Sequence, residues 1–301
     1  MKTIIFGGSG FLGSHVADVL TERGHDVTIY DLKRSVYLKK GQKFIEGDIT
    51  DQKVVEKAMK GCAVVYNFAG MADIDKSKAT PIAFVKNNIL GNAVLLEAAR
   101  KNKVKRFVFA STLYVYSKAG SFYRSSKQAC ELMIENYSDV YGLEFTILRY
   151  GSLYGPRAGE NNWIWRVVKQ ALTEKKITRH GDGEELRDYI HVRDAARLSA
   201  DILDEEYGNQ HVIITGNQQI KIKDLMIMMR EMLNKNIKLD FKPVISSEHY
   251  EITPYAFRPS LAKRIQGKNY IDLGQGILEL MGEVYKSHVP HKRHVGFYVK
   301  D

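Results

Sequence analysis

Glycines at positions 7, 10 and 13 constrain the fold of this chain more than any other feature of its sequence. They follow the apolar run 2–6, which is typical of a buried parallel strand, and they begin a helical pattern over 11–23. A strand, a glycine turn and a helix in this order bring backbone N–H groups and a helix N-terminus up to a pyrophosphate. Glycine is needed because a side chain would block the phosphate or clash in the turn. We therefore predict a dinucleotide site here, with a purely structural turn as the alternative.

An acidic residue ends the second apolar run at the position such a site requires. The run 26–30 leads into Asp31, which lies 18 residues after Gly13, close to where a carboxylate binds the adenosine ribose. Lys33 and Arg34 follow and could attract a 2′-phosphate, but the Asp31 carboxylate should repel one. The pattern therefore favours NAD over NADP as the cofactor.

Composition excludes several other classes of protein. The 301 residues are 44% hydrophobic and 27% charged, as in ordinary globular proteins, and neither a transmembrane-length apolar run nor a signal pattern is present. Only Cys62 and Cys130 occur, which suits a reducing cytoplasm and provides neither a metal site nor a disulfide framework. The net charge of +10 raises the question of nucleic acid, but Lys and Arg are scattered along the chain. We expect a cytoplasmic protein without nucleic-acid or membrane partners.

Strand-like and helix-like segments alternate over the first 150 residues. Strands are predicted at 2–6, 26–30, 43–46, 63–68, 105–110 and 143–148, and helices at 11–23, 51–60, 81–102 and 123–141. This alternation predicts an α/β fold with a doubly wound, Rossmann-type parallel sheet. Helices at 160–175, 191–206 and 222–234 and a strand at 211–215 predict a smaller, interleaved C-terminal α/β lobe. We expect 1–155 to bind the dinucleotide, completed by about 189–216, and 156–301 to be mainly a substrate-binding lobe.

A tyrosine and a lysine near the middle of the chain are the best catalytic candidates. Tyr123 and Lys127 are four residues apart on a predicted helix and so share one face. An ammonium beside a phenol favours the phenolate, which could take a proton from a substrate alcohol while a nicotinamide accepts the hydride. Thr112, at the end of the predicted strand 105–110, would add a hydroxyl. Such a pair is also common on helix surfaces, so its position downstream of the glycine turn is what favours catalysis.

With these motifs the chain resembles an extended short-chain dehydrogenase/reductase, in the NAD-dependent nucleotide-sugar epimerase/dehydratase group. The similarity covers nearly the whole chain and is strongest over 1–155 and 180–200. The family's cofactor turn, ribose acid and adenine-side pair match Gly7, Gly10, Phe11, Leu12, Gly13, Asp31, Asp48 and Ile49. Its catalytic hydroxyl, tyrosine and lysine match Thr112, Tyr123 and Lys127, of which Tyr123 and Lys127 would also contact the cofactor.

The resemblance implies further site residues and partners. Phe68-Ala69-Gly70 is similar to the stretch that lines the cofactor in UDP-galactose 4-epimerases, and Asn88 lies where the family keeps an asparagine between strand and helix. The stretches 149–156 and 187–194 are similar to two further family motifs, which implies cofactor contact by Tyr150 and substrate contact by Ser152 and Arg187. Arg258 would be a second phosphate-binding arginine. The implied partners are a nucleotide-diphosphate sugar and a second copy of the chain, bound through 81–102 and 123–141.

Several residues depart from the family pattern or have ordinary alternatives. The 4,6-dehydratases carry a glutamate where this chain has Tyr114, which disfavours elimination of water. Thr112 and Tyr123 are only 11 residues apart, so a loop that normally lies over the sugar is largely absent. Arg187 could pair with Asp188 or Asp194 on the surface, and Arg258 could be an ordinary surface arginine. His191 is expected to cap or pack its helix, and Trp163 and Trp165 could be core residues or could stack a base.

The sequence and the resemblance together predict NAD-dependent oxidoreduction at C4 of a nucleotide-diphosphate sugar through a 4-keto intermediate. A 4-epimerase is favoured on family frequency alone. A 4-dehydrogenase or 4-keto reductase with net redox chemistry is a close alternative, because the same three catalytic residues serve all of these outcomes. A dinucleotide-binding protein without catalysis is less favoured, since Thr112, Tyr123 and Lys127 are all present.

Overall fold

Seven parallel strands form the main sheet in the computed structural model, which describes residues 1–216, 219–233 and 236–243. The described residues form twelve strands in all, seven in this sheet and five in two smaller ones. In chain order they are β1 (Lys2–Phe6), β2 (Asp26–Asp31), β3 (Lys43–Glu46), β4 (Val64–Asn67), β5 (Arg106–Thr112), β6 (Glu144–Tyr150), β7 (Ser152–Tyr154), β8 (Lys176–His180), β9 (Leu186–His191), β10 (Gln210–Ile214), β11 (Gln219–Lys221) and β12 (Lys238–Lys242). The order across the main sheet is β10-β6-β5-β4-β1-β2-β3. From β1 the chain adds β2 and β3 on one side, and then adds β4, β5, β6 and β10 on the other side. This order confirms the predicted doubly wound sheet.

Helices cover both faces of the main sheet. They are α1 (Phe11–Glu22), α2 (Gln52–Ala58), α3 (Ile74–Ala79), α4 (Pro81–Phe84), α5 (Gly91–Lys101), α6 (Ser121–Tyr141), α7 (Trp163–Glu174), α8 (Val192–Asp201) and α9 (Ile222–Met232). The predicted helix 81–102 is interrupted, because a π-helical segment at Val85–Leu90 separates α4 from α5. None of the helices in the described part of the chain combines the length and the apolar character needed to cross a membrane.

The alternation of side chains along β1 explains the two cores. Ile4 and Phe6 face one side, where they pack with residues of α2, α5 and α6. Ile5 faces the other side, where it packs with residues of α1 and α8. Because both faces are covered, the central strands consist mainly of apolar residues, which is why their apolar runs predicted them correctly.

The chain after residue 150 builds two smaller sheets and also returns to the main one. β11, β9 and β7 form a three-stranded sheet, β12 pairs with β8, and residues of α7 and α9 contribute to a hydrophobic cluster of their own. β10 runs parallel to β6 at the edge of the main sheet. Five of these short strands, β7, β8, β9, β11 and β12, were not predicted. The division into a lobe at 1–155 and a lobe at 156–301 stays a prediction.

Candidate active site

The glycine turn leaves no room for side chains beside the backbone that follows β4. Gly7 has a φ of +76°, and a Cβ there would lie 2.5 Å from the Ala69 nitrogen. A Cβ at Gly13 would overlap the Gly7 carbonyl oxygen. Gly10 donates its N–H to that same oxygen at 3.1 Å and is the N-cap of α1. The turn therefore forms a bare backbone cradle at a helix N-terminus, which fits a dinucleotide pyrophosphate.

Asp31 ends β2 beside this cradle. Its carboxylate accepts the Ser9 backbone N–H at 3.0 Å, so the turn and the acidic residue are held together. Both lie in a cavity of about 430 Å³ that is also lined by Gly10 and by residues 32–37. A ribose bound here would meet a carboxylate, as the NAD prediction requires.

Asp48 and Ile49, two of the predicted cofactor residues, lie outside the cavities that Asp31 and Thr112 line. The Asp48 carboxylate accepts the Thr50 N–H and hydroxyl, both at 2.8 Å, and the Thr50 N–H is the main reason that its pKa lies below the ordinary range. Ile49 packs against Gly91. Neither residue lines the two cavities described here. Their contact with the cofactor stays a prediction.

The prediction that Asn88 lies between a strand and a helix is wrong. Asn88 lies inside the π-helical segment Val85–Leu90, because the helical run continues from α4 into α5. Its buried amide accepts the Met71 N–H at 2.7 Å and donates to the Met71 carbonyl and to Ser126 Oγ. Asn88 therefore fixes the segment after β4 against α6.

Thr112, Tyr123 and Lys127 converge in one cavity of about 1260 Å³. Thr112 ends β5, and its hydroxyl accepts the Tyr114 N–H at 3.3 Å. Tyr123 and Lys127 lie one turn apart on α6, and the Lys127 ammonium is 6.0 Å from the centre of the Tyr123 ring. All three side chains are buried. The same cavity is lined by Phe11, Leu12, Phe68, Ala69, Gly70, Tyr150, Ser152 and Arg187.

The surroundings of Lys127 hold its ammonium in a fixed place. Nζ donates to the Ala110 carbonyl at 2.7 Å and lies 4.6 Å from the centre of the Phe109 ring. Burial lowers the pKa of Lys127, and the nearby Cys130 and Glu131 oppose that shift. The carbonyl and the aromatic ring partly compensate the lost hydration of the ammonium.

The connection between Thr112 and Tyr123 is short, and the segment after β4 forms part of the cavity wall beside Tyr123. Met71 and Ile74 line the cavity and pack in one apolar cluster with Tyr114 and Tyr123. The Tyr114 ring meets that of Tyr123 edge-on, with centroids 6.3 Å apart. It also contacts Gly120, whose φ of +98° lets the shortened chain turn into α6. The segment after β4 therefore provides part of the wall beside Tyr123.

The substrate side of the cavity comes from β7, β9 and α7. Arg187 is buried on β9, beside the equally buried Asp188, and its Nη1 donates to the Leu186 carbonyl at 2.9 Å. Ser152 begins β7. Tyr150 is turned toward Ser199, whose hydroxyl lies 2.6 Å from its own, and burial raises the pKa of Tyr150. Arg258 lies outside the described residues.

His191 lies at the start of α8, and the two tryptophans, Trp163 and Trp165, lie near the substrate side of the candidate site. His191 is the N-cap of α8, and its Nδ1 accepts the Arg193 N–H at 3.3 Å, so the capping prediction is confirmed. Trp163 and Trp165 both line the large cavity, and Trp163 also packs against the hydrophobic cluster that includes residues of α7 and α9. A tryptophan at both a core and a cavity wall leaves base stacking open.

Sequence reasoning missed a buried ion pair directly behind the candidate catalytic residues. Glu131 lies one turn beyond Lys127 on α6 and pairs with Arg149 of β6, with Nη2 and Oε2 2.6 Å apart. The i, i+4 spacing from Lys127 was a usable signal for Glu131. Its partner depends on which strand lies beside β5, and the sequence does not reveal that.

Comparison with known proteins agrees with this geometry. The sequence profile of the NAD dependent epimerase/dehydratase family matches residues 3–215, more than half of the chain. The chain belongs to this family. The family is NAD-dependent, so the predictions of both the family and the cofactor are confirmed.

Individual members of the family differ in their activities. A putative UDP-glucose 4-epimerase from Methanocaldococcus jannaschii is 29% identical over 297 residues, covering 91% of this chain and 95% of that protein. A dTDP-glucose 4,6-dehydratase from Actinoplanes sp. is 30% identical over 226 residues, covering 65% of this chain and 71% of that protein. A UDP-glucuronic acid 4-epimerase from Bacillus cereus, solved with UDP-glucuronic acid and NAD, has a TM-score of 0.78 at 26% identity, covering 87% of this chain and 95% of that one. Family membership is therefore compatible with epimerase and with dehydratase chemistry.

Proposed function

We propose that this family member is an NAD-dependent 4-epimerase of a nucleotide-diphosphate sugar. The observation that carries the proposal is the single cavity that contains Thr112, Tyr123 and Lys127 together with Gly70 and Arg187. Such a cavity offers a proton acceptor, a cofactor wall and a phosphate-binding cation within reach of one another. The relatives that are 4-epimerases support the same activity.

Each candidate residue has a separate role in the proposed reaction. Tyr123 takes the proton from the sugar C4 hydroxyl, and Thr112 donates a hydrogen bond that orients the same oxygen. Lys127 stabilises the phenolate and holds the nicotinamide ribose. Arg187 binds the diphosphate, and Ser152 also contacts the substrate. The glycine turn and Asp31 would hold NAD, which would supply reversible hydride transfer at C4.

Epimerisation requires that the 4-keto sugar turn over before the hydride returns. Directly beside Tyr123 the wall contains Met71, Ile74 and the Tyr114 ring, which pack with Tyr123 in one apolar cluster. A weakly held ring that remains anchored through its diphosphate can present either face. This supports an epimerase over an enzyme that fixes the sugar in one orientation.

A net 4-dehydrogenase or 4-keto reductase remains the second candidate, because Thr112, Tyr123 and Lys127 would serve it equally. A 4,6-dehydratase is disfavoured by Tyr114, which stands where that chemistry uses a carboxylic acid. The close packing of the Tyr114 ring against Gly120 and Tyr123 supports a role for Tyr114 in shaping the wall.

Proton NMR with a panel of UDP-, dTDP-, GDP- and CDP-sugars, without added cofactor, tests the proposal. We expect one sugar nucleotide to give a C4 epimer over many turnovers. At most one equivalent of ketone per subunit, with the bound cofactor left as NADH, would indicate a dehydrogenase. A 4-keto-6-deoxy product would indicate a dehydratase, and no conversion of any sugar would favour a non-catalytic protein.

We further propose that the protein is cytoplasmic and acts as a homodimer through the helical segments 81–102 and 123–141. Several large apolar side chains are exposed on α4, the π-helical segment and α6, namely Ile82, Val85, Leu90, Phe122, Leu132, Val140 and Tyr141. A surface of this kind is typical of an interface between subunits.

A further inference from the structure

The Glu131–Arg149 pair is one of the most thoroughly bonded ion pairs among the described residues. Arg149 donates from Nε to Oε1 at 3.1 Å and from Nη2 to Oε2 at 2.6 Å, a two-pronged contact. Ser111 Oγ donates to the same carboxylate, and Arg149 Nη1 donates to the Tyr116 hydroxyl. The Arg149 guanidinium also lies over the Tyr116 ring, 4.7 Å from its centre. Both members of the pair are largely removed from solvent.

These contacts connect four separate elements at one place. Ser111 lies near the end of β5, Glu131 on α6, Arg149 near the end of β6, and Tyr116 at the end of the short 3₁₀ helix Leu113–Tyr116. Ser111 and Arg149 are opposite each other in the β5–β6 register. The pair therefore fastens α6 to the carboxyl ends of two neighbouring strands.

The fastened elements are those that carry the candidate catalytic residues. Thr112 follows Ser111 directly, and Lys127 lies one turn before Glu131. The bond from Lys127 to the Ala110 carbonyl crosses the same junction between α6 and β5. A small movement of α6 along β5 would change the distance from Lys127 to Ala110 and from Tyr123 to Thr112 together.

A second ion pair on the same two strands provides a natural comparison. Arg106 and Glu144 pair at the amino ends of β5 and β6, and Arg106 also donates to the carbonyls of Ile202 and Asp204. Arg106 and Glu144 are opposite each other in the β5–β6 register, five residues before Ser111 and Arg149. At about 3.3 Å per residue this end lies roughly 17 Å from the catalytic candidates.

We propose that Glu131 and Arg149 are positioning residues, which hold α6 against β5 so that Lys127 and Tyr123 stay in register with Thr112. The inference rests on the proposed function for its kinetic consequences. It predicts that loss of the pair lowers turnover and leaves substrate affinity nearly unchanged, because neither residue lines the cavity. A structural ion pair such as Arg106–Glu144 would affect stability without this effect on turnover.

The decisive variants are Glu131→Gln, Arg149→Lys and the paired change Glu131→Met with Arg149→Met. The paired change leaves the net charge unaltered and replaces a buried pair by apolar side chains, which proteins often tolerate without loss of stability. We expect kcat to fall by as much as about 100-fold in all three, as small misplacements of catalytic groups do, with KM nearly constant. The matched control, Arg106→Met with Glu144→Met, should retain the kcat of the unmodified chain.

A spectroscopic measurement separates this inference from the proposed function. The phenol of Tyr123 can be titrated by NMR in protein labelled with ¹³C-tyrosine, without any sugar nucleotide. In the paired Met variant the pKa of Tyr123 should rise, because Lys127 withdraws while the net charge is unaltered. If no sugar nucleotide is converted but the pKa still rises, the proposed function fails and the positioning role stands. An unchanged pKa, or a folded paired variant with full turnover, would overturn the positioning role.

Discussion

Single residues carry the proposed chemistry, and Lys127 shows how the fold prepares them. Its ammonium is buried, bonded to the Ala110 carbonyl and close to the Phe109 and Tyr123 rings. The spacing of Tyr123 and Lys127 was enough to predict a shared helix face. The carbonyl, the Phe109 ring and the Glu131–Arg149 pair could not be predicted, because they depend on how β5, β6 and α6 pack.

Replacement of Tyr123 tests its role as the general base. Tyr123→Phe should lower turnover by about 10²- to 10⁴-fold, the usual effect of losing a positioned base, while NAD still binds. Turnover is measured by NMR and NAD binding by calorimetry. Tyr114→Phe is the matched control, since it removes a hydroxyl from the neighbouring ring and should retain most activity. Similar losses in the two variants would argue against a specific role for Tyr123.

Gly13→Ala tests the backbone cradle. The added methyl group would overlap the Gly7 carbonyl oxygen, so the turn must open. We expect loss of NAD binding and a destabilisation of about 1–3 kcal/mol, as for overpacked sites, measured by urea unfolding. Gly159→Ala, where a Cβ meets open space, should alter neither quantity. Normal NAD affinity in Gly13→Ala would contradict the assignment of the cradle.

At the scale of elements, the sequence predicts all seven strands of the main sheet and misses the five other described strands. β1, β2, β4, β5 and β6 are buried on both faces, and their apolar runs located them within a few residues. β8 has a single buried residue among charged and polar ones, the buried residues of β9 include the charged Arg187 and Asp188, and β7 and β11 have only three residues each. Such segments become strands through pairing with distant partners. The substrate side of the cavity was therefore the least predictable part.

The π-helical segment gives a prediction at the same scale. Asn88→Ala would leave the Met71 backbone groups without their amide partner inside the protein. The cost should be about 1–3 kcal/mol in the free energy of unfolding, because buried polar groups lose their partner. Asn87→Ala removes a neighbouring amide that bonds to the Ala83 carbonyl and is only partly buried, and it should cost less. Equal costs would contradict the tie that Asn88 makes to Met71.

At the scale of the whole molecule, the exposed apolar side chains of α4, the π-helical segment and α6 lead to a testable assembly. Leu132 lies on α6 with 61% of its surface exposed. Leu132→Lys should convert a dimer into a monomer in light scattering, because a charge would be buried at the interface. Leu172→Lys on α7, where the leucine is 63% exposed, is the control and should remain dimeric. A monomeric mass for the unmodified chain would contradict the proposed dimer.

Transfer of hydride away from C4 and back to the same carbon can be followed with an isotope. The sugar nucleotide that the protein converts is prepared with deuterium at C4, and the product is examined by NMR and mass spectrometry in ordinary water. We expect a C4 epimer that retains its deuterium at C4 through many turnovers. Loss of the label to solvent, or product that gains solvent hydrogen at C3 or C5, would contradict it.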